Sequence, residues 1–277
     1  MELGKLGVWV SPRTVGADRL EEAAALAERV GYKTFWLGGS PQVAALRPLL
    51  EATETLVAAT GIANLWKSEP ARLAAEFAEL EADFPGRVLV GIGVGHPEAT
   101  SDYTRPLRAM RRFLDALDGA AQPVPPTRRC LAALAPRMLE LARERTLGAI
   151  PYFTSAAHTA WAREALGDGP LLMPEVAVVV DEDEERGRVT AREYAQLYLG
   201  LENYRSNLLR HGFDEADVAD GGSDRLIDAV IPHGPPTHVA AALRQHFDAG
   251  ADHVAVQMLG EPGLPERGWA AVAAELL

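Results

Sequence analysis

The sequence has little of what several common chemistries require. Of its 277 residues one is cysteine, Cys130, which excludes an internal disulfide and a cysteine-rich zinc site. Only three lysines occur, Lys5, Lys33 and Lys67. Lys5 and Lys33 precede apolar runs, the wrong end of a strand barrel for Schiff-base chemistry. Lys67 follows the third such run, where it either reaches the barrel mouth or, as the preferred reading, is a solvated loop residue. The motifs HExxH, GxSxG and the P-loop are absent. The histidines His96, His158, His211, His233, His238, His246 and His253 form no ligand-spaced set, so no metal site is expected. His233 and His238 are separated by Gly-Pro-Pro, which is loop spacing.

Positive charge is also scarce. The net charge of −12 argues against nucleic acid or an anionic membrane as partner. No segment reaches the ~18 consecutive apolar residues of a membrane span. The first residues show neither a basic nor an apolar leader region, so a cytoplasmic protein is expected. Hydrophobic residues make up 48%, enough for one large core.

The most informative stretch present is Gly86-Arg-Val-Leu-Val-Gly-Ile-Gly-Val-Gly-His96. Its apolar run suits a strand buried on both faces. Gly91, Gly93 and Gly95 recur at period two and leave one strand face bare. A bare face admits either another backbone or a flat ligand. His96 then stands at the C-terminal tip, where α/β folds hold their ligands.

Apolar runs at 6–10, 34–37, 56–62, 88–94, 130–135, 148–153, 172–180 and 253–259 read as strands. Helical periodicity falls at 17–30, 70–84, 105–117, 137–145, 156–166, 184–211 and 236–249, with Ser68 as the cap before 70–84. A polar turn near Asp220-Gly221-Gly222 and a short helix ending at Ile231 complete the charged segment 181–234. Eight alternating strands predict a (β/α)8 TIM barrel as one domain over 1–277. An open doubly wound sheet is the alternative, but GIGVGH lacks the third glycine of the dinucleotide fingerprint. Gly119 to Thr127, rich in proline, reads as an extended connector.

Trp9, Trp36 before Gly38-Gly39-Ser40, and Trp66 after Asn64 stand at or near strand ends. Core packing explains each tryptophan alone. Together with the glycines they suit a planar cofactor whose ring performs the chemistry, with Trp9, Trp36, Ser40 and Trp66 lining a substrate pocket.

Thr60-Gly61-Ile62-Ala63-Asn64, then 70–81 and Asp83-Phe84-Pro85-Gly86-Arg87, then 91–96, Ala132-Ala133-Leu134-Ala135-Pro136 and 148–155 follow one another at a characteristic spacing. In that order they resemble the bacterial luciferase-like flavin and deazaflavin oxidoreductases. The arginine-rich fourth helix is most similar to the branch that uses coenzyme F420. The resemblance implies a cis peptide at Gly61–Ile62 behind the cofactor ring. It implies contacts of the ring edge with Asn64 and with backbone at Gly93 and Gly95. It places the phosphate between Ala133, Leu134, Ala135, Pro136 and the helix start at Thr154-Ser155.

Departures limit the transfer. Where some relatives have an Asp-His pair after strand two, this chain has Gly39-Ser40; where some have a glutamate after strand four, it has His96, with Glu98 two residues on. His96 is therefore either the proton donor or a residue that only positions the cofactor. The implied activity is hydride transfer between F420 and a small organic substrate. The alternatives are an FMN-dependent monooxygenase and a non-catalytic cofactor-binding barrel. Arg105, Arg108 and Arg112, with Arg111 beside them, form a basic stripe. The stripe either pairs with Asp102 and Asp115 or attracts an anionic cofactor tail. The resemblance also implies a homodimer joined outside strands two to four, where the helix at 70–84 has a broad apolar arc with small Ala74, Ala75 and Ala78.

Overall fold

A computed structural model describes residues 1–96 and 103–277. Glu98 and Asp102, named above, lie outside the described residues. The strands are β1 Leu6–Val10, β2 Thr34–Leu37, β3 Val57–Thr60, β4 Ala63–Asn64, β5 Val88–Gly93, β6 Arg129–Ala132, β7 Gly148–Ile150, β8 Leu171–Leu172, β9 Glu175–Val180, β10 His233–Gly234 and β11 Val254–Leu259. Every pairing between them is parallel. The ladder runs β11-β1-β2-β3-β5-β6-β7-β8. The chain continues from β8 into β9, which bridges Tyr152 at Glu175 on one side and pairs with β11 on the other. That closes the circle, and the fold is the parallel α/β barrel of the TIM type that the alternating strands predict.

The helices are α1 Pro12–Val15, α2 Leu20–Val30, α3 Arg47–Glu51, α4 Pro70–Asp83, α5 Pro106–Asp118, α6 Pro136–Arg145, α7 Ala156–Leu166, α8 Glu184–Leu199, α9 Glu202–Arg210, α10 Asp224–Val230, α11 Pro236–Asp248 and α12 Glu266–Leu276. Alternate strand residues such as Val8, Phe35, Val90, Leu131 and Val256 face these helices. The others, including Trp36, Ala59, Leu89, Cys130, Ile150 and Ala255, fill the barrel interior. Helices α8, α9 and α10 build a second core with the tops of β9 and β10, around Leu199, Tyr204, Leu208, Phe213, Ile227 and Ile231.

Several expectations shift by a local cause. The run 172–180 is interrupted at Pro174, which has no N–H to donate. The long helix at 184–211 breaks at Gly200 and Leu201 into α8 and α9. The cap of α4 is Glu69, not Ser68: its carboxylate accepts from the N–H groups of Ala71 (3.1 Å) and Arg72 (2.7 Å). The apolar arc of α4 is spent on its own barrel, since Leu73, Ala74, Phe77 and Leu80 are all buried there. The outer side of α4 keeps the small Ala75 and Ala82 together with the charged Arg72, Glu79 and Asp83.

The run 56–62 divides into β3 and β4, and the reason organises the site. Ala59 pairs with Leu89, but Ala63 pairs with Ile92, so the ladder gains one extra residue between them. The Gly61–Ile62 peptide within this bulge is cis, as the resemblance implies. The bulge fills the face that the β5 glycines leave bare. A methyl group on Gly91 would overlap the Thr60 carbonyl oxygen, and one on Gly93 would lie 2.7 Å from the Ile62 side chain. The glycine stripe thus admits a neighbouring backbone, the first of the two alternatives its spacing allows.

These contacts differ in what can yield. Gly91→Ala meets rigid backbone, whereas Gly93→Ala meets the movable end of a side chain. Urea denaturation is expected to show a loss of about 3 kcal/mol for the first and about 1 kcal/mol for the second. Equal losses would contradict the close approach of Thr60 to β5.

Candidate active site

The C-terminal ends of the strands form one mouth. On one side stands the bulge. The half-buried Trp9 donates its indole N–H to the Gly61 carbonyl (2.8 Å), and its ring leaves no room for a side chain at Gly38. Ile62 leans over Gly93. Asn64 is buried, and its Oδ1 accepts from the Trp66 N–H (3.0 Å) while its amide nitrogen faces Gly95. Trp66 in turn donates to the Val94 carbonyl (2.7 Å) and lies against Tyr103. Seven of the expected residues, Trp9, Gly61, Ile62, Asn64, Trp66, Gly93 and Gly95, therefore stand in contact along this side, and Trp66 fastens the end of β5. Ser40 is half-buried with φ +60°, a strained conformation for a residue with a Cβ.

Trp36 departs from expectation. It is fully buried, and its indole N–H points away from the mouth to His253 Nε2 (3.0 Å). His253 Nδ1–H donates to the Gly4 carbonyl (2.9 Å), at the N-terminal end of the barrel. Burial pushes this histidine down to about 4, so it stays neutral and serves as barrel floor. Trp36 lines no substrate pocket here. Its position one residue before the end of a short strand gave no signal of which way the ring turns.

The opposite wall is aromatic and was not foreseen. Tyr152 bonds the Tyr194 hydroxyl (2.6 Å), and Tyr194 bonds that of Tyr198 (3.0 Å). Gln257 Oε1 lies 3.0 Å from the Tyr152 hydroxyl and 2.8 Å from that of Tyr194; each hydroxyl has one hydrogen, so one of the two donates to Gln257 and the other to its neighbouring tyrosine. Phe153 stacks on Tyr198, and Tyr204 meets Tyr152, Phe153 and Tyr198 at 5.3–5.9 Å. Tyr194 and Tyr198 lie one helical turn apart on α8, and Glu175 and Gln257 interrupt apolar strands at inward positions. Those spacings are the signals that sequence reading passed over.

His96 joins this wall rather than the bulge. Its ring lies 5.2 Å from Tyr204, and Nδ1–H donates to Asn203 Oδ1 (3.2 Å) on α9. In the neutral ring this leaves Nε2 as a lone pair, so His96 takes a proton there and gives one only as imidazolium.

Glu175 lies inside the barrel near the tyrosines, buried, its N–H donating to the Pro151 carbonyl (2.9 Å) and its carboxyl making no side-chain hydrogen bond among the described residues. Burial pushes its carboxyl well above the usual range and likewise raises Tyr152, Tyr194, Tyr198 and Tyr204. The interior is therefore an uncharged chamber.

The turn after β6 lies beside this wall. Ala133 is buried and Leu134 half-buried, while Ala135 and Pro136 are exposed and open α6. The Leu134 carbonyl accepts from His158 Nε2–H (3.3 Å) on α7. Ser155 caps α7 by accepting from the His158 N–H (3.4 Å). Thr154 is buried, and its Oγ1 has no partner among the described residues. The two expected groups, the bulge and this turn, are thus joined by the α9 and tyrosine wall.

Outside the turn lies a cavity of about 500 Å³ lined by Arg105, Pro106, Leu107, Arg108, Ala135, Arg137 and Met138. Arg105 precedes α5 instead of lying within it. Asp115 pairs with Arg145 (3.0 Å), not with the basic stripe. No described carboxylate pairs with Arg105, Arg108 or Arg137.

A raised carboxyl has a definite consequence. Folded Glu175 keeps its proton above pH 4.5, where the unfolded chain releases one, so it lowers stability progressively as pH rises. Glu175→Gln removes that dependence. The variant is expected to gain on the parent by about 1.4 kcal/mol per pH unit from pH 5 upward, until the folded carboxyl ionises. Urea denaturation at pH 5 and 8 reads the difference, and a pH-independent one would refute a neutral Glu175.

The chain matches the family model of luciferase-like monooxygenases over residues 3–253. No curated protein sequence matches it. Among solved structures it resembles an F420-dependent secondary alcohol dehydrogenase bound to an F420–acetone adduct (TM-score 0.77, 15% identity, 99% of this chain and 98% of that one). It also resembles the coenzyme F420-dependent tetrahydromethanopterin reductase of Methanopyrus kandleri (0.70, 16%, 98% and 98%). A third is the FMN-bound oxygenating constituent of 3,6-diketocamphane monooxygenase from Pseudomonas putida (0.72, 15%, 100% and 99%). At such identities the likeness is one of fold. The family match covers most of the chain, and the chain belongs to the luciferase-like monooxygenase family.

Proposed function

We propose that this chain is an oxidoreductase, working in the cytoplasm, that moves a hydride between coenzyme F420 and a small organic substrate. The observation that carries F420 over FMN is the arginine-lined cavity. Arg105 and Arg108 stand at the start of α5, and Arg137 in the first turn of α6. Neither first turn contains an acidic residue. Cations at the positive ends of two helices oppose the helix dipoles, so this arrangement costs stability unless an anion is bound. FMN ends at its phosphate, whereas F420 continues beyond it into a tail of carboxylates, which suits a basic cavity next to Ala135.

Two further features support a ring bearing a phosphate. The bulge with Gly61, Ile62 and Asn64 is a rigid, uncharged backing, and the unpartnered Thr154 Oγ1 stands at the α7 N-terminus. The cofactor, when bound, supplies the hydride chemistry. The chain's own residues do the rest. Trp9 and Asn64 hold the bulge, the tyrosine wall excludes water, and His96 Nε2 exchanges a proton with the substrate.

Fluorescence titration of the full chain with F420 and with FMN tests this reading. F420 is expected to bind more tightly, and added salt to weaken it more than FMN. The double variant Arg105→Ala with Arg137→Ala is expected to weaken F420 by about tenfold, one rim ion pair's worth each, with little change for FMN. FMN binding equal to F420 in the parent chain would favour the monooxygenase.

The family resemblance also underlies a homodimer through the outer side of α4. Its large apolar residues being spent inward, the contact would rest on Ala75 and Ala78, where close helix approach is possible. Light scattering at micromolar concentration is expected to give twice the 29.8 kDa chain mass, and the single mass would refute it.

A further inference from the structure

Eight buried side-chain polar atoms lack a hydrogen-bond partner among the described residues. Three of them belong to residues already in ion pairs, Glu81 with Arg128 and Arg129 with Asp118. Four others belong to residues at the start of α7 and the end of α9, two segments that meet at the His158 and His211 rings: Thr154 Oγ1, His158 Nδ1, Asn207 Oδ1 and His211 Nε2. Thr154, His158 and Asn207 are each about 98% buried. The His158 and His211 rings lie edge to face at 4.7 Å, and His211 lies 4.4 Å from Trp161. Asn207 lies in the last turn of α9, and His211 is the residue that follows its end. Orphaned polar atoms in such number mark a place built for something that the chain itself does not supply.

The charges around the pair say what that is. The turn after β6 contributes only the Leu134 carbonyl. From α9 come His211 and Arg210, and from α11 comes His246, which is already bonded to Thr159 (2.9 Å). Among the described residues no carboxylate acts on either ring. Burial, and then the neighbouring His211, push His158 down to about 4; burial and then Arg210 lower His211. Both rings are neutral near pH 7. Because His158 Nε2–H is spent on Leu134, the free Nδ1 is a bare lone pair. A lone pair repels an anion, while the helix N-terminus and the Thr154 hydroxyl attract one. The conflict disappears when a proton arrives with the anion.

We propose that the α7 N-terminus with Thr154, His158, Asn207 and His211 is a proton-coupled anion site, where a phosphate group binds together with uptake of one proton from solvent on the histidine pair. On the reading given above, on which this assignment rests, the phosphate is that of the cofactor. His158 Nδ1–H then donates to a phosphate oxygen while Nε2–H keeps Leu134. The anion supplies the counter-charge that the buried ring lacks. Access lies along His211 and Trp161, which are partly exposed. An arginine or lysine in this place would hold the phosphate equally at any pH near neutral. A histidine pair makes the grip depend on acidity.

Sulfate is the probe, because it remains a dianion across the range. Calorimetric titration of the full chain at pH 6, 7 and 8, in buffers of different ionisation heat, counts the protons. About one proton is expected to be taken up, with affinity falling by as much as tenfold per pH unit. His158→Gln is expected to lose that slope. Should this variant not fold, histidine ring resonances of the parent chain carry the test, since sulfate should convert one ring of the pair to imidazolium. No sulfate binding at millimolar concentration, binding without proton uptake, or an unchanged slope in His158→Gln would each overturn the proposal. Sulfate binding with proton uptake in a chain that binds neither F420 nor FMN would refute the cofactor reading and leave this site standing. Cofactor binding with no sulfate-linked proton would do the reverse.

Discussion

The rest of the site depends on one close packing, the seating of the bulge around Gly61 on the glycine face of β5. A strand with ordinary side chains at Gly91 and Gly93 would hold the bulge away by the thickness of a methyl group or more. Three consequences follow from the closeness. The ladder with β5 resumes one residue out of step, which turns Ile62 toward the mouth. Trp9 can reach the Gly61 carbonyl, so β1 is tied to β3 across β2. Asn64 is carried beside Gly93 and Gly95, where it organises Trp66 and the end of β5. A mouth held by such contacts is rigid on this side, as a surface that positions a flat ring must be.

The second constraint is the absence of charge inside. Glu175, His253, Cys130 and the four tyrosines are all buried, and burial favours the neutral form of each. Isolated charges in that interior would cost several kcal/mol each, so the chain keeps its −12 on the outside. Arg129 is the instructive exception. It is fully buried at the start of β6, yet it reaches Asp118 (2.7 Å) and the carbonyls of Val124 and Arg145. A buried cation is tolerated where acceptors surround it, and none of the lumen groups has such a shell.

How much was legible follows from what each signal encodes. All eight staves of the barrel were visible, because a strand buried on both faces needs an apolar run and little else does. The two-residue β10 was invisible because it owes its pairing to β9, not to any pattern of its own. Helix α12 was passed over although its sequence is apolar at helical spacing. Gly61, Ile62 and Asn64 fell where the family order placed them. The glycines of β5 announced a close approach but not its partner, since spacing specifies a bare face and not the occupant. Trp36 and Trp9 were indistinguishable in sequence and stand opposite each other in register, so only the acceptors their indoles reach, His253 and the Gly61 carbonyl, separate floor from mouth. The tyrosine wall was missed because its members come from two helices and a strand end, spread over 53 positions of chain from Tyr152 to Tyr204. No local period connects them.

The two basic surfaces near the rim differ in kind, and the difference separates two tasks. Arg105, Arg108 and Arg137 are exposed and charged at every working pH. Their field extends over roughly a Debye length, ~10 Å at moderate salt, so they draw an anion toward the mouth. Exposed charges hold weakly once contact is made, because water competes for both partners. His158 lies behind Leu134 with no acid to balance it, so it is silent at a distance and charged only in company. In that dry setting a matched charge is worth far more than at the surface. The arginines therefore govern how readily an anion arrives, and the histidine pair governs whether it stays. A ligand with carboxylates alone satisfies the first condition. Only one that also places a compact anion at the α7 N-terminus satisfies both.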